Sequence, residues 1–334
     1  MGSGLEGIVV ADTTLSRVDG AAGKLVIAGH HLEELAPQGF EQAAQVLLGL
    51  AGLGEARVRV WQKLQSVLPL LPGRTPLEGL RMGLAALPGP IGEAEVVAAF
   101  PVILAGVRHG AALPRPDANL GQVEDFLRLY GQSSPDRVRG LSTYLATVSE
   151  HGMNASTFTA RVVASTGAEL LDAVLAALGA LSGPLHGGAP GPVLDLLDEL
   201  EGESDLEAAL QARLDAGQRL MGFGHRVYRT RDPRASVLKK AVAQMADSPR
   251  LRWAEKVEKA ALTVLARHKP ERRLETNVEF YTAVLLEAVG FECTMFTPLF
   301  ATGRVLGWTA HYHEQRRGGR LIRPDSRYVG PEPE

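Results

Sequence analysis

Cysteine is almost absent from this chain of 334 residues, with Cys293 the only one. A single thiol excludes a disulfide framework and thiolate metal cages, and it predicts a reducing compartment such as the cytoplasm. Charge of either sign is not in excess: Lys+Arg 35 against Asp+Glu 38 leaves a net charge of -3, which speaks against a nucleic-acid or membrane-binding surface. The apolar run at 170–181 is not read as a membrane span, because it contains Asp172 and is shorter than the roughly 20 residues a bilayer demands. The first residues lack a basic start and an apolar centre, so no secretory signal is predicted. Asparagine occurs only at 119, 154 and 277, and arginine outnumbers lysine. Heat tolerance and a GC-rich genome account equally well for that bias. There is no Gly-Lys-Ser/Thr loop, no internal repeat, and no strand–helix alternation of the kind that builds a parallel sheet.

What is present reads as helix. Hydrophobic residues make up 45% and charged residues 22%, ordinary for a globular protein, and the length favours two lobes over one. Short β-branched runs at 7–12 and 24–28, separated by Asp19-Gly20, predict a small N-terminal β flap with His30-His31 at its edge. Ser204 and Glu207 predict a capping box, with Leu206, Leu210 and Leu214 on one face. Ser248-Pro249 opens another helix, and Asn277 caps a third. The Ala-rich stretch 170–181 is apolar enough to be buried on most sides. After Arg323, Pro324, Pro331 and Pro333 predict an extended arm. The fold class is all-α with a small β flap.

Several segments carry candidate chemistry. Gly222-Phe223-Gly224-His225-Arg226-Val227-Tyr228 places a histidine after a Gly-x-Gly turn, where backbone approaches a ligand closely. Arg226, Arg229, Arg231 and Arg234 surround it, enough donors to hold an anionic substrate. A neutral imidazole beside such a clamp suits polarising the carbonyl of a small oxo-acid. The turn is not a dinucleotide fingerprint, because the third glycine and the βαβ frame are missing. His186 projects from Gly183-Pro184-Leu185-His186-Gly187-Gly188-Ala189, either as a substrate contact or as a buried histidine bonded to a helix-terminal carbonyl. Glu279 lies in the first turn of an apolar helix, where burial raises its basicity and the helix terminus lowers it; an ordinary dipole partner fits the same position. The segment 149–158 packs His151, Asn154, Ser156 and Thr157 at a helix start, an arrangement that capping alone explains equally well. Arg304 sits in the apolar stretch 300–308, so a carboxylate from the protein or a ligand must meet it; Arg323 is a weaker case of the same kind. His311-Tyr312-His313-Glu314 offers no metal site, since an HxH pair on a helix points two ways.

Taken together, these segments resemble the citrate synthase family. Gly-Pro-Leu-His186-Gly-Gly-Ala, Gly-Phe-Gly-His225-Arg-Val-Tyr, Asp-Pro-Arg234-Ala and Asn-Val-Glu279-Phe-Tyr stand in the family's order, with Glu150-His151-Gly-Met-Asn-Ala-Ser-Thr-Phe-Thr-Ala-Arg161 before them. The opening Gly-Leu-Glu-Gly-Ile, Asp19-Gly20 and Arg320-Leu-Ile-Arg323-Pro extend the likeness from Gly4 to Gly330, least closely over 51–101.

The resemblance implies an all-α homodimer, with a large domain from 1–186 and 286–334 and a small domain from 187–285. It implies condensation of acetyl-CoA with oxaloacetate to citryl-CoA and hydrolysis to citrate, with no cofactor beyond these substrates. His186 would stabilise the enol(ate), Glu279 would remove the methyl proton and His225 would polarise the oxaloacetate carbonyl. His151, Arg234 and Arg304 would bind oxaloacetate, and Arg323 would reach the partner subunit's site. Met221, Gly222, Phe223 and Gly224 match the adenine-binding loop, with Arg229 near the CoA phosphates. Glu279 replaces the family's aspartate and Thr276 a usual proline. Pro190 stands where an asparagine is usual, and Val148 replaces a frequent histidine. These departures keep 2-methylcitrate synthase, a citryl-CoA-cleaving relative and a non-catalytic CoA- or citrate-binding regulator as alternatives.

Overall fold

The computed structural model describes residues 5, 7–187, 191–225, 227–245 and 249–333. Ser248, the expected helix cap, lies outside them, as do Gly188, Ala189, Pro190 and Arg226.

The flap is a three-stranded antiparallel sheet, β1 (Ser16–Asp19), β2 (Lys24–Ile27) and β3 (His30–His31). Its register pairs Ser16 with Ile27 and Asp19 with Lys24, so Gly20 falls in the connecting turn. The expected strand at 7–12 is not one. Ile8 and Val9 are exposed and have no strand beside them, and the polar segment 16–19 pairs instead because Leu25 and Ile27 opposite it are fully buried.

Fifteen α-helices follow among the described residues. The first nine are α1 (Leu32–Leu35), α2 (Phe40–Leu48), α3 (Gly54–Lys63), α4 (Pro76–Ala85), α5 (Glu93–His109), α6 (Gln122–Tyr130), α7 (Pro135–Thr147), α8 (Ala155–Ser165) and α9 (Leu170–Leu181). The remainder are α10 (Gly191–Glu199), α11 (Leu206–Asp215), α12 (Pro233–Ala243), α13 (Pro249–His268), α14 (Val278–Val289) and α15 (Phe296–Gly318). The all-α expectation holds.

Two helices organise the core. α5 buries its whole middle, Val96 to Gly106. Its length and apolar character match those of a membrane span, but most of that surface packs inside the fold. α15 is buried over most of 296–312, with Thr297 and Phe300 half-buried, and packs on α8, α9, α5 and α7. Each fully buried large apolar side chain on these helices contributes roughly 1.5–3 kcal/mol, and Trp308 has no exposed surface. α9 buries one face through Leu170, Val174, Leu178 and Leu181, whereas Leu171 and Leu175 are half-buried and Asp172 is exposed. It is therefore less enclosed than its composition suggests.

Local caps set where the site-bearing helices start. Asn277 caps α14, its side chain accepting from the Glu279 N–H, and Asn154 caps α8 by accepting from Thr157. α11 starts one residue later than Ser204 suggests, because Asp205 is the residue that accepts the Ala208 N–H. The arm after α15 is extended and exposed, as expected.

Candidate active site

His225 follows two glycines with φ of 90° (Gly222) and 83° (Gly224), a left-handed geometry that disfavours other residues. A Cβ at Gly222 would meet the Phe280 ring at 2.8 Å, so the turn also needs the space. The turn is stitched to the start of α14: Phe223 bridges Thr276, Gly224 N–H donates to Glu275 O at 2.7 Å, and Asn277 N–H donates to Gly222 O at 3.0 Å. Asn277 Nδ2 adds a bond to Gly224 O at 2.9 Å.

The protonation of His225 follows from its partners. Its Nδ1 accepts the backbone N–H of both Val227 (3.0 Å) and Tyr228 (3.1 Å), so in the neutral ring the proton is on Nε2. Burial, aided by the Arg234 charge, lowers its pKa to about 4, which keeps the ring neutral. Nε2 then faces Arg234 Nη2 at 3.2 Å, donor against donor.

Arg234 opens α12 behind Pro233 and is held by Asp232. That carboxylate accepts the Arg234 backbone N–H (3.0 Å), Nε (3.0 Å) and Nη2 (2.8 Å), and its Oδ2 also takes the Val278 N–H at 3.2 Å. Asp232 thus joins the starts of α12 and α14. Burial alone would lower the Arg234 pKa, but Asp232 overrides it and the pKa rises.

His151 lies beside both, its ring 5.8 Å from that of His225 and its Nε2 3.1 Å from the Tyr228 hydroxyl. Burial and the Arg234 and Arg304 charges push its pKa well down. The preceding Glu150 is fully buried, and its Oε1 accepts from Ser16 Oγ (2.8 Å) and Gly152 N–H (2.6 Å). His311 completes that anchor. Arg161 Nη1 donates to its Nδ1 at 3.0 Å, so its Nε2–H donates to Glu150 at 3.1 Å.

Arg304, 1% exposed on α15, donates Nε to Val148 O at 2.7 Å, and its Nη2 has no partner among the described residues. No protein carboxylate pairs with it among those residues. Burial lowers its pKa to about 10. A buried guanidinium with a spare N–H is an anion site.

His186 sits in the turn after α9, its Nε2 2.9 Å from Ser156 Oγ. That hydroxyl receives the Trp308 indole N–H at 3.1 Å and stands 2.8 Å from Asn154 Oδ1. Its one proton serves either Asn154 or His186. When it serves His186, the neutral ring carries its own proton on Nδ1 and can donate to a ligand. Burial, with Arg304 adding to it, lowers the His186 pKa to about 4.

Glu279 is the second residue of α14, and its buried Oε2 has no partner among the described residues. Of the two opposing effects expected there, burial prevails over Arg234 and the backbone N–H, and the pKa is raised. Tyr144 on α7 is fully buried; burial raises its pKa, and Arg304 and Glu279 both act on it electrostatically. Tyr144, Ser156, Tyr228, Asp232 and Glu150 belong to this constellation although no catalytic or binding role for them was read from the sequence. Glu150, Ser156, Tyr228 and Asp232 lie inside the quoted motifs, whereas Tyr144 lies outside them.

Two expected residues lie apart. Arg229 is exposed and is tied to the flap through its backbone N–H, which donates to Gly20 O at 2.8 Å. Arg323 is exposed on the terminal arm and is not brought to the cluster within this chain. Met221 and Phe223 are half-buried, with the Phe223 ring 5.3 Å from Phe280. Of the HxH pair, His311 is buried in the Glu150 anchor and His313 pairs with Glu93 at 2.8 Å; no metal-binding group occurs among the described residues.

The cluster therefore offers neutral histidines as donors, two buried guanidinium groups and one buried carboxylate of raised basicity, suited to activating an anionic oxo-acid and a weak carbon acid. Comparison with known proteins agrees in kind. Residues 4–325 match the family described as "Citrate synthase, C-terminal domain". The "Putative citrate synthase 2" of Mycobacterium tuberculosis is 39% identical over 99% of this chain and 93% of its own length. The 2-methylcitrate synthase of Shewanella oneidensis is 32% identical over 99% and 96%. A solved citrate synthase of Thermoplasma acidophilum, a ternary complex with carboxymethyl coenzyme A and oxaloacetate, superposes with a TM-score of 0.83 at 26% identity, over 98% of this chain and 96% of that one.

Proposed function

The chain belongs to the citrate synthase family, and on that premise we propose that it condenses acetyl-CoA with oxaloacetate and hydrolyses the citryl-CoA formed. One observation carries the reading: His225 Nε2 and Arg234 Nη2 face each other as donors, in a cluster that also holds Arg304 Nη2 and Glu279 Oε2, neither with a partner among the described residues.

Oxaloacetate fits the donors. Its carboxylates satisfy Arg234 and Arg304, and its keto oxygen accepts from His225 Nε2–H, with His151 alongside. Acetyl-CoA lies along the 221–224 loop, its thioester oxygen on His186 and its methyl group at Glu279. Glu279 takes a methyl proton, and His186 stabilises the enol(ate) as charge reaches the oxygen. The enol carbon attacks the keto carbon, the new alkoxide takes a proton, and water then cleaves the thioester to citrate and CoA. A thioester α-proton is weakly acidic, so the raised basicity of Glu279 supports this assignment. No cofactor beyond the two substrates takes part.

The division into a large domain (1–186, 286–334) and a small one (187–285), closing over oxaloacetate, belongs to the same proposal. So does a homodimer in which Arg323 reaches the partner's site. Exposed Leu321, Tyr328 and Val329 on the arm and half-buried Leu171 and Leu175 on α9 support a second copy.

The Shewanella relative favours a second reading, propionyl-CoA as the acyl donor. Thiol release with acetyl-CoA or propionyl-CoA, each with and without oxaloacetate, tests both. Faster release with acetyl-CoA supports the first, and faster release with propionyl-CoA the second. Release with neither, alongside thermal stabilisation by oxaloacetate, supports a binding protein without turnover.

A further inference from the structure

Glu258 on α13 is 4% exposed, yet it lies outside the cluster described above. Its two oxygens gather four donors. Oε1 accepts from Thr276 Oγ1 at 2.6 Å and pairs with Arg231 at 2.9 Å. Oε2 accepts from the Tyr281 hydroxyl at 2.5 Å and from Lys239 Nζ at 3.0 Å. Burial would raise its pKa, but these donors more than offset that and the pKa is lowered, so it stays an anion.

The placement of two of those donors is telling. Thr276 precedes the α14 cap and Tyr281 follows Glu279 by two residues, so one carboxylate grips the chain on both sides of Glu279. Thr276 is also the residue that bridges Phe223. The grip therefore extends to the 221–224 loop. Thr276 and Tyr281 are both fully buried, so water does not substitute for the carboxylate.

We infer that Glu258 is a positioning residue that fixes the Glu279 carboxylate through Thr276 and Tyr281. The inference deepens the proposed reaction and rests on it for the role of Glu279. Proton transfer from carbon tolerates little displacement, and about 1 Å of error costs on the order of 10²-fold. Oxaloacetate contacts have further anchors of their own, Asp232 for Arg234, the Val227 and Tyr228 amides for His225 and Glu150 for the His151 segment; the Asp232 N–H also donates to Thr276 O at 3.4 Å, a direct link between the two sets.

The test is steady-state kinetics on Glu258→Gln and Thr276→Val, each alone and in a Glu279→Gln background. Gln cannot accept from donors on both of its ends, so Glu258→Gln should lower kcat by about 10²-fold while KM for oxaloacetate stays within about threefold. Thr276→Val, which removes one hydroxyl, should reproduce part of that loss and serves alone if Glu258→Gln does not fold. In the Glu279→Gln background neither change should lower the residual rate further. An equal further loss there, or a rise in KM with kcat intact, overturns the inference. Absence of turnover in the unaltered protein would count against the proposed reaction instead. Positioning is then read from amide hydrogen exchange at 276–281: acceleration in Glu258→Gln supports it, and unchanged exchange overturns it.

Discussion

His225 Nε2 and Arg234 Nη2 stand 3.2 Å apart as two donors, because the Val227 and Tyr228 amides already occupy His225 Nδ1. In the proposed complex oxaloacetate gives each its own acceptor, a carboxylate oxygen to Arg234 and the keto oxygen to His225. His225→Phe, which keeps the ring and removes both nitrogens, is expected to lower kcat about 10²–10³-fold, the cost of losing a donor at developing charge. Steady-state kinetics at saturating oxaloacetate check this.

Arg304 separates stability from function. Its guanidinium is buried with a spare N–H and no paired carboxylate among the described residues, a costly state in the free protein. Arg304→Met should leave the melting temperature of the free protein unchanged or higher, even though the bond to Val148 O is lost. Oxaloacetate binding, measured by calorimetry, should weaken by at least about tenfold, as expected when a charge-assisted bond is removed.

Gly307 sits where α15 crosses the segment before His151. A Cβ there would lie 2.3 Å from Glu150 Oε2 and 2.5 Å from Ser149 O. Gly307→Ala should therefore cost about 1–3 kcal/mol by overpacking and raise KM for oxaloacetate by displacing His151. Urea unfolding and kinetics together test both parts.

Much of this site is legible in the sequence. His186, His225, Arg234 and Glu279 stood out because tight turns, a proline start and a cap mark them locally. Arg304 stood out as a charge in an apolar run. Asp232 and Tyr228 were visible within motifs, but their partners were not. Glu150 is visible in the same way, while Tyr144 and Glu258 carry no signal in the sequence, because their roles come from contacts with other segments of the chain. The misplaced strand has the same origin. The valine-rich 7–12 segment has the better strand composition, yet 16–19 pairs because its neighbour β2 supplies buried Leu25 and Ile27.

The pH dependence has two opposing parts. Activity requires Glu279 ionised, and its pKa is raised above the ordinary 4.5, so kcat/KM should fall as pH drops through that raised value. His186 and His225 stay neutral down to about 4, so they do not set this limb. Stability behaves differently. The unfolded histidines take protons near 6.5 and the folded ones only near 4, so the unfolded state binds more protons between these values. Their contribution is fully retained above 6.5 and is lost as pH falls towards 4. Glu279 acts in reverse, because the folded state takes its proton first. Melting temperatures of the unaltered protein and of His225→Gln across pH 4–7 should show a shallower acid loss in the variant.

The central claim is that Glu279 makes the nucleophile. Glu279→Gln keeps the shape and removes the base, so the decisive measurement is its rate of CoA release from acetyl-CoA and oxaloacetate against that of the unaltered protein. The rate should fall by about 10²–10⁴-fold, with thermal stabilisation by oxaloacetate preserved. A variant that keeps most of the unaltered rate would contradict it.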